Sequence, residues 1–164
     1  MLSQAMQDAI NEQIKNELYS AYLYLSMSAH CESDGMSGCA RWMRAQSQEE
    51  VEHAMKFFDF VNERGGRVTL HAIDQPPTEF DSLLAIFKET LEHERKVTAM
   101  IHGLYQLALE EKDYAAQVML HWFIEEQVEE ESSATQILDT LEMIGDKGHA
   151  LIMLDRELGK RGAE

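Results

Sequence analysis

Residues that interrupt helices are scarce in this sequence. Its 164 residues include only two prolines, which are adjacent at Pro76 and Pro77, and most of the nine glycines fall where long periodic segments end. Because proline and glycine disfavour helix interiors, this distribution predicts an all-α protein. The length and the 45% apolar content suffice for one core, so a single domain is expected over residues 1–164.

Basic residues, cysteines and long apolar runs are also few. The chain has 14 Lys and Arg against 30 Asp and Glu, so its formal net charge is −16. This balance disfavours nucleic acid and favours cations as partners. No run approaches the roughly 20 apolar residues of a membrane span, and no signal-peptide pattern opens the chain. We expect a cytoplasmic protein without membrane association, in which Cys31 and Cys39 are free thiols.

The apolar period predicts five helices, whose ends are marked by glycines and capping residues. They cover about residues 3–33, 37–64, 79–112, 114–144 and 147–159. Thr78 is the predicted cap of the third helix. The long connection before it separates two helical hairpins and allows the second and third helices to run parallel. The expected architecture is a four-helix bundle with one long crossover connection and a short fifth, C-terminal helix.

Polar residues interrupt the bundle-facing apolar stripe of each long helix near its midpoint. The interruptions are Glu17 in the first helix, Glu50 and His53 in the second, Glu94 in the third, and Gln127 and Glu130 in the fourth. Antiparallel packing brings helix midpoints to one height, so these side chains are expected to meet. Buried carboxylates need protons, counter-charges or metal ions, and no Lys or Arg occupies these stripes nearby. The pattern predicts a buried two-metal site.

The types of ligand in this predicted site favour iron or manganese. Glu50-x-x-His53 places a carboxylate and an imidazole one helical turn apart, although this motif alone is common by chance. Oxygen ligands with one imidazole and no thiolate suit Fe or Mn better than a structural zinc site. Two irons can deliver two electrons to O2 or peroxide, so redox chemistry is expected.

Residues beside this site have two interpretations each. Tyr24 lies seven residues after Glu17 on the same helix face. Its phenol can hydrogen-bond a ligand or pass an electron, or it is a packed core aromatic. A second acidic group can hold a further iron or form a solvated rim, and it consists of Glu49, Glu126 and Glu129.

These motifs together resemble those of the bacterial and archaeal non-haem ferritins along the whole chain. The resemblance rests on Glu17 with Tyr24, Glu49-Glu50-x-x-His53, Glu94, the run Glu125-Glu126-Gln127-Val128-Glu129-Glu130 and the loop Glu63-Arg64-Gly65-Gly66-Arg67. It implies a ferritin-like fold and a ferroxidase that oxidises Fe(II) with O2 or H2O2. It also implies storage of the Fe(III) mineral inside an octahedral shell of twenty-four identical subunits.

The resemblance further implies a ligand set for each iron. One iron would be held by Glu17, Glu50 and His53. Its neighbour would be held by Glu50, Glu94 and Glu130, with Gln127 close by. A third, weaker iron would lie among Glu49, Glu126, Glu129 and Glu130.

One residue differs from its counterpart in a related, haem-binding family. Val51 stands where a bacterioferritin would have its haem-binding methionine, so no haem is expected.

Two other functions remain open at this point. One is a di-iron peroxidase or oxygenase that acts on another substrate, and the other is a non-enzymatic signalling or scaffold bundle whose buried acids stay neutral.

Overall fold

The structure, a computed structural model that describes residues 1–161, contains five α-helices and no strand within that range. The helices are α1 (Gln4–Ser33), α2 (Ser37–Glu63), α3 (Leu83–Glu110), α4 (Tyr114–Ile144) and α5 (Gly148–Leu158). The predicted all-α bundle with a long crossover and a short fifth helix is confirmed. Within residues 1–161, no helix combines the length and the apolar character that crossing a membrane would require.

The start of α3 is the one helix boundary at which the prediction was clearly wrong. α3 begins at Leu83, and its cap is Ser82 rather than Thr78. The Ser82 hydroxyl accepts a hydrogen bond of 3.0 Å from the backbone N–H of residue 85. Phe80 precedes this cap and packs edge-on against His30, with 5.4 Å between ring centroids. Since threonine and serine cap helices similarly, tertiary packing of the intervening segment favours the later start.

The crossover, residues 64–82, follows α1 from its beginning towards its end. Near the start of α1, the side chain of Asn11 donates to the carbonyl of Arg67 at 3.0 Å and accepts from the amide of Thr69 at 3.3 Å. Near the end of α1, Ser26 donates to the carbonyl of Pro77 at 2.5 Å. The connection therefore returns the chain to the end of the bundle where α2 began, so α3 runs parallel to α2.

Two apolar clusters fill the two ends of the bundle. One includes Ile14 and the stacked rings of Phe57 and Phe123, and the other includes Tyr24 and Phe87. A layer of buried polar side chains lies between them, and we call it the polar layer. It consists of Glu17, Glu50, His53, Glu94, Gln127 and Glu130. The midpoints of the four helices do meet at one height, as their sequence spacing predicts.

The bundle is tighter on one side than on the other. α1 and α3 approach each other with Cα atoms within 8 Å, whereas no Cα atom of α2 lies that close to one of α4. α5 packs against α2 and also touches α4. The wider gap of the bundle therefore lies between α2 and α4.

A contact between two glycines fixes α5 against the beginning of α2. A Cβ atom on Gly38 would lie 1.7 Å from the carbonyl oxygen of Asp155, and one on Gly159 would lie 3.0 Å from the Cα of Gly38. The Asp155 carboxylate accepts a hydrogen bond of 2.8 Å from the amide of Cys39. The N-cap residue Met36 makes no side-chain cap bond, so Asp155 supplies from α5 the cap that α2 lacks locally.

Candidate metal centre

Glu17, Glu50 and His53 converge at the centre of the polar layer. One ligand atom from each of the three side chains lies within 4.8 Å of the other two. The Nδ1 atom of His53 is 3.2 Å from Oε2 of Glu50. Ligand atoms about 2.0–2.2 Å from one cation lie up to about 4.4 Å apart, and the 3.2 Å between Nδ1 of His53 and Oε2 of Glu50 falls within that span.

Glu17 shows most directly that the polar layer fits a cation. Its Oε1 accepts a hydrogen bond of 2.8 Å from Nε2 of Gln13. Its Oε2 is buried and accepts no hydrogen bond from any described N–H or hydroxyl donor, and pairing with the neighbouring Glu50 carboxyl requires a proton. An unpaired buried carboxylate oxygen is costly, and a cation shared with Glu50 and His53 would supply the missing partner.

Glu94 and Glu130, the other two carboxylates of the layer, face hydrogen-bond donors. Glu94 accepts from the Tyr24 hydroxyl and from Nε2 of Gln127, the latter at 3.1 Å. Glu130 accepts from Nε2 of Gln46 at 2.6 Å. The carboxylates of the second predicted ligand set are thus in the layer, but amide or phenol donors hold them. Of the two interpretations of Tyr24, the structure shows the hydrogen bond from its phenol to a predicted ligand, Glu94.

Burial and mutual repulsion favour protonation of these four carboxyls in the absence of a cation. Burial raises the pKa of Glu17 and of Glu50 well above the usual range, and neighbouring carboxylates raise both further. Burial also raises the pKa of Glu94, and burial followed by the Glu94 charge raises that of Glu130 to about 7. Two divalent cations carry as many positive charges as four carboxylates carry negative ones. Binding two such ions would therefore expel the protons.

The second acidic group lies beside the polar layer, on the α2–α4 side. Glu49, Glu126 and Glu129 line a cavity of about 110 Å³ together with Glu130, and we call this cavity the rim cavity. His53 reaches towards it, since its Nε2 lies 3.9 Å from Oε1 of Glu126. Atoms of His53, Glu126 and Glu130 form a further group within 4.8 Å of one another. One imidazole thus faces both cation-binding candidates, with one ring nitrogen directed to each.

Three residues of this region were missed by the sequence reasoning. Gln13 and Gln46 each lie four residues before a glutamate of the layer and donate towards it. That spacing, which makes helix neighbours of the two side chains, could have indicated them. Arg161 follows α5 and lines the rim cavity. No periodic pattern points to Arg161, because it lies outside the four long helices.

The fold and the site together define a class of protein. Four long helices joined by one crossover, with inward-facing glutamates and an E-x-x-H pair in the core, characterise the four-helix bundles that bind metals through carboxylates. The orphaned oxygen of Glu17 and the raised pKa values of the buried carboxyls agree with that class.

Comparisons with known proteins narrow the class to one family. The model of the ferritin-like domain matches residues 7–144. A bacterial non-heme ferritin from Bacteroides fragilis (strain 638R) is 44% identical over 161 residues, which are 98% of this chain and 100% of that protein. A probable bacterial non-heme ferritin-like protein from Haemophilus influenzae is 40% identical over 159 residues, 97% of this chain and 96% of that protein. The chain belongs to the ferritin family.

Solved structures agree with this assignment. A novel open pore ferritin from the hyperthermophilic archaeon Archaeoglobus fulgidus superposes with a TM-score of 0.98 at 52% identity, covering 98% of this chain and 99% of that one. A closed form of the Archaeoglobus fulgidus ferritin, engineered by site-directed mutagenesis, gives a TM-score of 0.97, also at 52% identity, covering 98% of each chain.

Proposed function

We propose that this protein oxidises Fe(II) at the polar layer with O2 or H2O2 and stores the Fe(III) as a hydrated oxide mineral inside a protein shell. Membership of the ferritin family supports iron storage and ferroxidase activity. The observation that carries the proposal is the buried Oε2 of Glu17, which lacks a partner beside Glu50 and His53.

Each iron has a proposed set of ligands in this chain. The first is held by Glu17, Glu50 and His53, which already converge. The second is held by Glu50, Glu94 and Glu130 next to Gln127, once Glu94 exchanges the amide of Gln127, and Glu130 that of Gln46, for metal. The third lies in the rim cavity among Glu49, Glu126, Glu129 and Glu130.

The buried carboxyls assist the reaction through their protons and charge. As two Fe(II) ions bind, the carboxyls with raised pKa values, including Glu17 and Glu50, release protons. The two ions give one electron each, which with two protons reduces O2 to H2O2, or H2O2 to two water molecules. The Tyr24 hydroxyl positions Glu94 through its hydrogen bond.

The proposed assembly is a cytoplasmic shell of twenty-four subunits that binds no haem. The ferritin relatives support a homo-oligomer. Two Archaeoglobus fulgidus structures are described as an open pore ferritin and as an engineered closed form. Because one description names an open pore and the other a closed form, the pore arrangement of this shell has to be measured. The size and pores of the shell, seen by electron microscopy, test octahedral symmetry.

The first test compares Glu50→Ala with Glu52→Ala. Glu50 belongs to the proposed ligand sets of both irons of the buried pair, whereas Glu52 is exposed on the same helix and serves as the matched control. Glu50→Ala should lose fast aerobic oxidation of Fe(II), followed by ferric-oxo absorbance, and Glu52→Ala should retain it. Light scattering should give the same shell size for both variants and the unmodified protein. Normal oxidation kinetics in Glu50→Ala would contradict the proposal.

The second test separates storage from the other two functions. Repeated aerobic additions of Fe(II) to the metal-free shell should load far more iron than the two or three ions per chain that the sites themselves hold. Uptake that stops at two or three ions would favour the oxygenase interpretation. A chain that takes up no iron at all would favour the scaffold bundle.

A further inference from the structure

Arg161 is a basic residue placed directly in the acidic rim cavity. Its Nη1 donates to Oε1 of Gln46 at 2.8 Å, and its Nη2 pairs with Oε2 of Glu49. The guanidinium lies 4.5 Å from the centroid of the Trp42 ring, which supports it from one side. Among the described residues that line the cavity, Arg161 is the one basic residue, and it stands among four glutamates.

Gln46 connects this arginine to the polar layer. A guanidinium can only donate hydrogen bonds, so Arg161 fixes the carbonyl oxygen of Gln46 on its own side. The amide nitrogen of Gln46 must then face inwards, where it donates to Glu130 at 2.6 Å and points to Glu50 at 3.4 Å. Arg161 thereby orients a donor that occupies Glu130, the carboxylate shared by the second and third proposed iron sites.

Docking of α5 holds Arg161 in this position. Arg161 comes two residues after Gly159, whose contact with Gly38 leaves no room for side chains. Asp155 ties the same helix to the first amides of α2. The backbone amide of Arg161 also bonds the carbonyl of Leu158 at 3.3 Å. The arginine is therefore presented to the cavity by a fixed element.

We infer that Arg161 is a built-in competitor for metal at the rim cavity. Its guanidinium takes the place of a cation against Glu49 and, through Gln46, keeps Glu130 engaged. A metal ion gains the full set of rim carboxylates only when Arg161 withdraws. This inference rests on the proposed function, because it treats the rim cavity as the third iron site. It makes Arg161 a specificity-determining residue that keeps the rim site weak relative to the buried pair.

The test measures binding of Tb(III), a redox-silent cation that prefers oxygen ligands, to metal-free shells. Luminescence of Tb(III) excited through tryptophan reports the polar layer and the rim cavity, since Trp42 lies against Arg161 and Trp122 lies against His53. Titrations are made with and without prior addition of two Zn(II) per chain, which fills the buried pair. The central variant is Arg161→Gln, which removes the charge, and Arg161→Lys keeps it. Lys160→Gln is the matched control, because Lys160 pairs with Glu157 outside the cavity.

Arg161→Gln should bind Tb(III) at the rim cavity with an affinity on the order of tenfold higher than that of the same site in the unmodified protein. Arg161→Lys should stay close to the unmodified protein, and Lys160→Gln should show no gain. Adding Glu129→Gln to Arg161→Gln should remove the gain and thereby locate it in the rim cavity. Equal affinities in Arg161→Gln and the unmodified protein would overturn the inference, as would an equal gain in Lys160→Gln.

Failure of the proposed function would appear elsewhere in the same experiment. If the buried pair exists, the unmodified protein binds two Zn(II) per chain and Glu50→Ala reduces that number. If the buried pair does not exist, Glu50→Ala leaves Zn(II) binding unchanged. The Tb(III) titration without Zn(II) still compares the Arg161 variants in that case, so it decides the competitor role by itself.

Discussion

Replacing Gly38 by alanine should release α5 from the bundle. The new Cβ would lie 1.7 Å from the carbonyl oxygen of Asp155, whereas ordinary contacts begin at 3.4 Å. The two backbones must therefore separate by about 1.7 Å to restore an ordinary contact. A movement of that size breaks the 2.8 Å bond from the amide of Cys39 to the Asp155 carboxylate.

The cost follows from the two interactions that change. Overpacking costs about 1–3 kcal/mol, and loss of a hydrogen bond to a charged group costs about 1.5–3 kcal/mol. The better helix propensity of alanine offsets up to about 1 kcal/mol. The net cost of about 1.5–5 kcal/mol is large for an 11-residue helix, so α5 should undock while the four long helices persist.

Hydrogen exchange measured by mass spectrometry tests this expectation. In Gly38→Ala, amides of α5 should exchange much faster, and those of α1 and α3 should be unchanged. Gly103→Ala is the control, since a Cβ there meets nothing within 4 Å and alanine should stabilise α3 by up to about 1 kcal/mol. If α5 is equally protected in both variants, the glycine contact does not hold it, and the reasoning fails.

Two further predictions concern the polar layer. Tyr24→Phe removes the donor to Glu94, and since burial favours the protonated form of this carboxyl in the metal-free shell, the bond is worth about 0.5–1.5 kcal/mol. The apparent melting temperature of the metal-free shell should therefore fall by roughly 1–6 °C, and an unchanged value would contradict this role. Glu130 has a folded-state pKa of about 7 against an ordinary 4.5, so the folded protein holds a proton that the unfolded chain releases. Stability of the metal-free protein should thus decrease as the pH rises through that interval, giving a lower melting temperature at about pH 8 than at about pH 5.5. Glu130→Gln should reduce this difference, and a higher melting temperature at the alkaline pH would refute the assignment.

The polar layer could be predicted from the sequence because its positions follow one rule. Glu17, Glu50, His53 and Glu94 each occupy a slot that the helix period assigns to the core, and the structure buries all four. The period also fixes their common height, since each lies near the middle of a helix of similar length. Local spacing was therefore sufficient for this part of the candidate site.

Other features depend on contacts that local spacing does not encode. Thr78 and Ser82 are chemically similar caps, and the contact of Phe80 with His30 of a distant helix separates them. Arg161 reaches the rim cavity only because two glycines more than a hundred residues apart allow α5 to dock. The proposed iron ligand sets came from family resemblance, and the metal-binding experiments above test them.

The position of the polar layer between two apolar clusters has a consequence for how the proposed site would exchange iron. The rings of Phe57 and Phe123 hold one end, and Tyr24 and Phe87 help to hold the other, so neither end needs metal to stay closed. The charge of the polar layer can change by several units while the two apolar clusters keep the helices packed on either side of it. If the polar layer binds iron as proposed, the subunit can therefore gain and lose ions repeatedly while both apolar ends stay folded.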